Sequence, residues 1–216
     1  MPGINTSETR NIIFDLGGVL LNINPLLSLN EFAVISGIAQ EELKIRLANE
    51  RVFEKFDTGS ISPDEFRSDL CRIMGKKVTD AEIDHAWNML LLDFPLHRVQ
   101  LLQQLRKNYR VYLLSNTNSI HFIQYTVEFY EKYGIQMTEM FDRLFVSYEI
   151  GMHKPDEGIY TYVLKVEGLN PSECLFIDDS LPNIEAAAKL GIAGIHITGE
   201  HDVTYFFESG KLKPNR

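Results

Sequence analysis

Long apolar runs, cysteine and positive charge are all scarce in this chain. No uninterrupted apolar stretch among its 216 residues is long enough to span a bilayer. The opening MPGINTSETR lacks the apolar core of an export signal, so a soluble, cytoplasmic protein is expected. Only two cysteines occur, Cys71 and Cys174, far apart and without metal-ligand spacing; reduced, buried thiols are the expectation. Lysine and arginine number 21 against 30 acidic residues, giving a formal charge of −9. That imbalance argues against a nucleic-acid or anionic-membrane surface, either of which needs a basic face. No hint of a macromolecular partner follows, and a monomer or weak homodimer is expected. With 44% hydrophobic residues the chain can bury a core as one domain, or as one domain with a lid.

Short apolar runs alternate with helical patterns. Asn11–Phe14 is too short for a helix and ends in Asp-Leu-Gly-Gly, so it reads as a buried strand. Residues 23–92 carry helical patterns and no strand signal. Within them Ser62-Pro63-Asp64-Glu65 is a capping box that opens a helix with Phe66, Leu70, Ile73 and Met74 on its apolar face, and Phe56 to Gly59 reads as a turn. Further strands are predicted at 111–114, 144–146, 174–177 and 195–197. A helix stopping before Tyr109 precedes the first of these, and an aromatic-rich helix to Gly134 follows it. Pro155 is read as opening a helix with Ile159, Tyr162, Val163 and Val166 on one face, stopped by Gly168. Pro182 opens another, with Ile184, Ala187 and Ala188 inward. The tail 211–216 reads as frayed surface. This order predicts an α/β fold: a Rossmann-like parallel sheet with helices on both faces, plus a small inserted all-helical cap. The expected division is a core of 1–22 and 93–216 and a cap of 23–92.

Four segments become intelligible if folding brings them together at the carboxyl ends of the strands, where open α/β sheets bind ligands. Asp15 ends the first strand and is followed by Gly17 and Gly18, which let the backbone turn sharply. It is either a turn residue or a carboxylate nucleophile. Ser115 and Asn116 follow the second strand, where a hydroxyl and amide groups can meet phosphate oxygens; Ser115, Asn116 or Thr117 would equally serve as a helix N-cap. Lys154, read as opening a helix, conflicts with the positive end of that helix unless something negative compensates, and His153 reads as its neighbour rather than a ligand. Asp178 and Asp179 are adjacent acids after a buried strand, repelling by ~4 kcal/mol at 4 Å and an effective dielectric near 20. A bound Mg²⁺ removes that penalty. Mg²⁺ and Lys154 together would let a phosphate dianion approach Asp15, which is the electrostatic requirement of phosphoryl transfer.

The order Asp-x-Gly-Gly-Val, Ser-Asn-Thr, Gly-x-x-Lys-Pro and Asp-Asp-Ser resembles the haloacid-dehalogenase-like (HAD) phosphatase superfamily over the whole chain, with 23–92 matching its helical cap. The stretch from Gly151 to Ile192 looks closest to sugar-1-phosphate phosphatases, typified by α-D-glucose-1-phosphatase. The resemblance implies Asp15 as nucleophile, Ser115, Asn116 and Lys154 on the phosphoryl oxygens, and Mg²⁺ held by Asp15, the Gly17 carbonyl and Asp179. Asp178 and Asn183 would orient the metal water and the lysine. It implies a phosphorylated small molecule as substrate, such as a hexose 1-phosphate. One departure stands out: most such phosphatases carry a second Asp two residues after the nucleophile, and here that position is Gly17. General acid–base help is worth ~10²–10⁴ in rate. Water or a cap residue would have to supply the proton, with Asp57 and His85 as candidates and Trp87 and Asn88 as possible pocket neighbours. The superfamily's 2-haloacid dehalogenases also lack that acid but bind no metal, and Asp178-Asp179 argues against them. A weakly active sugar-phosphate-binding protein is the other alternative. Response-regulator receivers carry comparable residues in the reverse order.

Overall fold

The computed structural model describes residues 2–214. Strand β1 is Asn11–Phe14, entirely buried. Five helices follow: α1 (Pro25–Ser36), α2 (Gln40–Glu50), α3 (Val52–Asp57), α4 (Pro63–Met74) and α5 (Asp80–Asn88). Then come α6 (Leu96–Leu105), β2 (Arg110–Ser115), α7 (Ser119–Tyr133), β3 (Arg143–Val146), the single turn α8 (Ser147–Ile150) and α9 (Glu157–Glu167). The chain continues through β4 (Cys174–Asp178), α10 (Leu181–Lys189) and β5 (Ala193–His196), and ends with a hairpin of β6 (Phe207–Glu208) and β7 (Lys211–Leu212).

The five longer strands form one parallel sheet in the order β3-β2-β1-β4-β5. Period-two alternation sorts each strand's side chains onto two buried faces. Ile12, Phe14, Val111, Leu113, Leu175 and Ile177 join one cluster with residues of α6 and α7. Ile13, Tyr112, Leu114 and Phe176 join another with residues of α9 and α10. The strand order reverses at β1, so the crevice beyond its carboxyl end is where a ligand is expected in this topology.

Helices α1 to α5 gather around a separate apolar cluster built on Phe32, Leu47, Phe56, Phe66, Leu70 and Trp87. The Ser62 capping box forms as expected: its hydroxyl accepts from the Glu65 N–H at 3.3 Å, and Glu65 accepts from the Ser62 N–H at 2.8 Å. The chain enters and leaves this helical segment side by side. Asn22 N–H donates to the Asp93 carbonyl at 2.9 Å, and Asn24 N–H to Leu90 at 2.8 Å.

Four sequence expectations are corrected. Lys154 does not open a helix; α9 starts at Glu157 with Asp156 capping Gly158 N–H at 2.8 Å. Tyr160 rather than Tyr162 or Val166 fills the buried face of α9, because the sheet lies under positions 159, 160 and 163; in α10 Ala186 is buried where Ala188 is only partly so. Phe56 and Asp57 belong to α3, so the turn begins at Thr58. The tail is no frayed end through Leu212, which is buried and pairs with Phe207; Asn215 and Arg216 lie outside the described residues. No helix among the described residues is long and apolar enough to cross a membrane.

Candidate active site

Each acid at the strand ends is placed by backbone pairing. Asp15 N–H donates to the Ile177 carbonyl at 2.8 Å, continuing the β1–β4 ladder by one residue. Asp178 closes β4. Its carboxylate accepts from the Ser180 N–H at 2.7 Å and from the Asn183 amide at 3.0 and 3.1 Å, so it is fixed by the turn into α10. Lys154 reaches in from beyond β3. Its ammonium donates to Asp15 Oδ1 at 2.6 Å and to Asp178 Oδ2 at 2.7 Å. Lys154 is 3% exposed, Asp15 8% and Asp178 0%, so these charges answer one another rather than water.

What holds Lys154 outside a helix is Asn116. Its side-chain amide donates to the Lys154 carbonyl at 2.9 Å, and its Oδ1 accepts from the Lys154 N–H at 2.8 Å. The Asn116 side chain is therefore committed to positioning the lysine, and only its backbone N–H is left for a ligand. The N-cap of α7 is Asn118, not Ser115, Asn116 or Thr117. Ser115 is buried at the end of β2 and its hydroxyl makes one long contact, 3.5 Å to the Asn116 carbonyl, so it is available to another acceptor.

The loop after Asp15 is constrained by what surrounds it. Gly18 has φ +75°, and a Cβ there would stand 2.3 Å from Asp179 Oδ2; only glycine permits that approach. A Cβ on Gly17 would meet Ile23 Cδ1 at 3.0 Å, so Ile23 occupies the space next to this position. No N–H among the described residues donates to the Gly17 carbonyl.

Burial pushes the Asp15 carboxyl up to about 7; Lys154 opposes the rise, while Asp178 and Asp179 add to it. Burial acts against the Lys154 ammonium, but Asp15 and Asp178 outweigh it and hold the lysine above its usual range. Burial and the charge of Asp178 likewise raise Asp179. Carboxylate oxygens of Asp15, Asp178 and Asp179 lie within 4.8 Å of one another. When all three acids are ionised, with Lys154 bonded to Asp15 and Asp178, the set keeps two uncompensated negative charges, the charge of one divalent ion. Hard oxygen donors of this kind suit Mg²⁺. The residues fit such an ion.

The chain belongs to the haloacid dehalogenase-like hydrolases. The model of that family matches residues 9–191. A D-ribitol-5-phosphate phosphatase of Bacteroides thetaiotaomicron is 32% identical over 183 residues, 84% of this chain and 88% of that protein. A sesquiterpene phosphatase of Aspergillus oryzae is 30% identical, over 86% of this chain and 88% of its own. The crystal structure of a HAD-family enzyme from Bacteroides thetaiotaomicron, in complex with magnesium and inorganic phosphate, superposes with a TM-score of 0.86 at 34% identity. The match covers 93% of this chain and 100% of that one.

Beside the quartet stands a network that sequence reasoning missed. Asn118, 0% exposed, uses its whole amide. Its Oδ1 accepts from Trp87 Nε1 at 3.3 Å and the His121 N–H at 3.1 Å, and its Nδ2 donates to His121 Nδ1 at 3.2 Å and Asp57 Oδ1 at 2.8 Å. His121 Nε2–H donates to the Trp87 carbonyl at 3.1 Å, and burial lowers this histidine to about 4, so it is neutral and Nδ1 accepts. Trp87 is buried between Phe53 and His121, and Asn88 keeps a buried Oδ1 without a partner among the described residues. His85 is exposed on α5, and no hydrogen bond among the described residues links it to the site. His153 bonds the Lys154 carbonyl at 2.7 Å and Glu54 at 3.3 Å, tying α3 to the lysine turn. The asparagine after Ser-Asn-Thr and the lone tryptophan were the available signals; their pairing across 31 residues was not.

Proposed function

We propose that this crevice hydrolyses the phosphate monoester of a small sugar or sugar alcohol, with Mg²⁺ and through an aspartyl-phosphate on Asp15. The observation that carries this reading is the buried Asp15–Lys154–Asp178 contact set at the point where the strand order reverses. The likeness to a magnesium- and phosphate-binding HAD-family structure supports it. Asp15, the Gly17 carbonyl and Asp179 would hold the ion, which supplies charge compensation for the dianion beside two further carboxylates. Lys154, Ser115 Oγ and the Asn116 N–H bind phosphoryl oxygens. The Asp15 carboxylate forms the new O–P bond as the ester oxygen departs with its electron pair and takes a proton. Water then attacks the phosphorus, and Asp15 leaves as carboxylate. Residues 23–92 act as the cap that encloses the leaving group.

Two substrates are favoured by separate observations. With Gly17 in place of an acid, a leaving group of low basicity is an advantage, and an anomeric hydroxyl fits; this favours a hexose 1-phosphate such as α-D-glucose 1-phosphate. The likeness to a D-ribitol-5-phosphate phosphatase favours a pentitol phosphate. Phosphate release from a panel of hexose and pentitol phosphates, with and without Mg²⁺, ranks them. Asp15→Asn should abolish release while the folded protein keeps its circular dichroism and melting transition. Turnover by that variant would remove Asp15 as nucleophile.

A further inference from the structure

Asp57 is the last residue of α3, where the helix already presents negative potential. One oxygen of this half-buried carboxyl accepts from the Asn118 amide at 2.8 Å, and the other has no partner among the described residues. Burial pushes it up to about 6, against weaker opposing effects of Asn118 and His153. A carboxylate enclosed at a helix carboxyl end with one neutral donor is disfavoured on both counts, and an asparagine would serve the packing better. Asn118 has no freedom to turn away, because its other three hydrogen bonds fix the amide. Asp57 therefore sits against the loop that follows Ser115 and near His153, the residue before Lys154. Those two loops are clamped together by Asn116.

We infer that Asp57 reads the substrate's hydroxyl groups, its open oxygen accepting hydrogen bonds from a polyhydroxylated carbon chain whose phosphate lies at Asp15. This rests on the phosphatase reading and adds to it a specificity determinant. It gives Asp57 the part of hydroxyl acceptor in place of proton donor, a distinction that substrates with and without hydroxyls test. Esters without hydroxyls should ignore this residue.

Three substrates separate the possibilities: p-nitrophenyl phosphate, whose leaving group needs no acid; butyl phosphate, which needs an acid and has no hydroxyl; and ribitol 5-phosphate or glucose 1-phosphate. Asp57→Ala should raise KM for the hydroxylated substrate about tenfold or more, while kcat and KM for the other two stay within about twofold. Asp57→Asn, which keeps the Asn118 contact, should give a smaller rise. A fall in kcat for butyl phosphate alone would make Asp57 a proton donor and overturn the inference, as would equal effects on all three substrates. Wild-type enzyme that fails to release phosphate from p-nitrophenyl phosphate with Mg²⁺ would sink the phosphatase reading itself, and this inference with it.

Discussion

The strand-end crevice and the helical segment treat buried charge in opposite ways. At the strand ends Lys154 is bonded to two carboxylates, and one of these is also held by a backbone N–H and an amide. Every polar group there has a partner before any ligand arrives, apart from the few that would face one. In the helical segment the cluster around Trp87 is aromatic and apolar, and Asp57 at its margin is answered by one neutral amide. The first arrangement builds a fixed electrostatic setting for any phosphate ester. The second leaves a charge unanswered, as a group that discriminates between esters should be. On the proposed reading, reactivity and selectivity sit on different elements, joined by Asn118 and by the His153–Glu54 pair.

The largest break in this comparison comes from removing the cation that organises the crevice. Lys154→Met should eliminate phosphatase activity and cost about 3–5 kcal/mol of stability, because Asp15 and Asp178 lose the ammonium they share. Mg²⁺ should then recover more stability in the variant than in the wild type, since it becomes the remaining cation among three acids. Thermal melts with and without Mg²⁺ check this. A variant that melts like the wild type without Mg²⁺ would show that the crevice charges do not depend on one another.

A narrower cut removes only one acid. Asp179→Ala should raise the Mg²⁺ concentration for half-maximal activity at least about tenfold. The melting temperature in Mg²⁺-free buffer should hardly move, because Asp179 is exposed and accepts no bond from Lys154. An unchanged Mg²⁺ titration would take Asp179 out of the metal site.

The same contrast explains what was legible in the sequence. The crevice was readable because three of its four parts directly follow short apolar strands and Lys154 follows a fourth at a short distance, and parallel topology then forces those ends together. Asp15, Asp178 and Lys154 could be named without knowing any distance between them. The commitment of the Asn116 side chain to the Lys154 backbone was not readable, since both residues looked like phosphate ligands. In the helical segment only the Ser62 box was recognised. The same signal stands at Thr79 and Glu82, and the structure uses it to cap α5. Helix α1 carries Asn24 as N-cap, Pro25 at its first position and Gly37 at its end, whereas α2 opens on Ala39, which offers no side-chain cap. Asp57 was the hardest case. Its character depends on an asparagine 61 residues away, and an acid before Thr-Gly reads locally as an ordinary turn.

The smallest expected effect is on stability, and it tests whether Asp57 is kept for a ligand. Its carboxyl is raised from 3.8 to about 6 in the folded protein. The folded state therefore holds the proton more tightly than the unfolded one, and stability falls as pH rises through that interval. Above about pH 6 the penalty is fully present; below about pH 4 it vanishes. Asp57→Asn keeps the Asn118 hydrogen bond and cannot ionise, so it should be more stable than the wild type at about pH 7.5, by roughly 1–2 kcal/mol after allowance for solvent screening. Near pH 4 the two should converge. Denaturant melts across this range, with Mg²⁺ at saturation so that the crevice acids stay ionised, supply the measurement. A variant less stable than the wild type at neutral pH would mean that the charge serves the fold, and the contrast between the two regions would lose its basis. The stabilised variant, read beside its weakened grip on hydroxylated substrates, would place stability and selectivity in opposition at a single carboxylate.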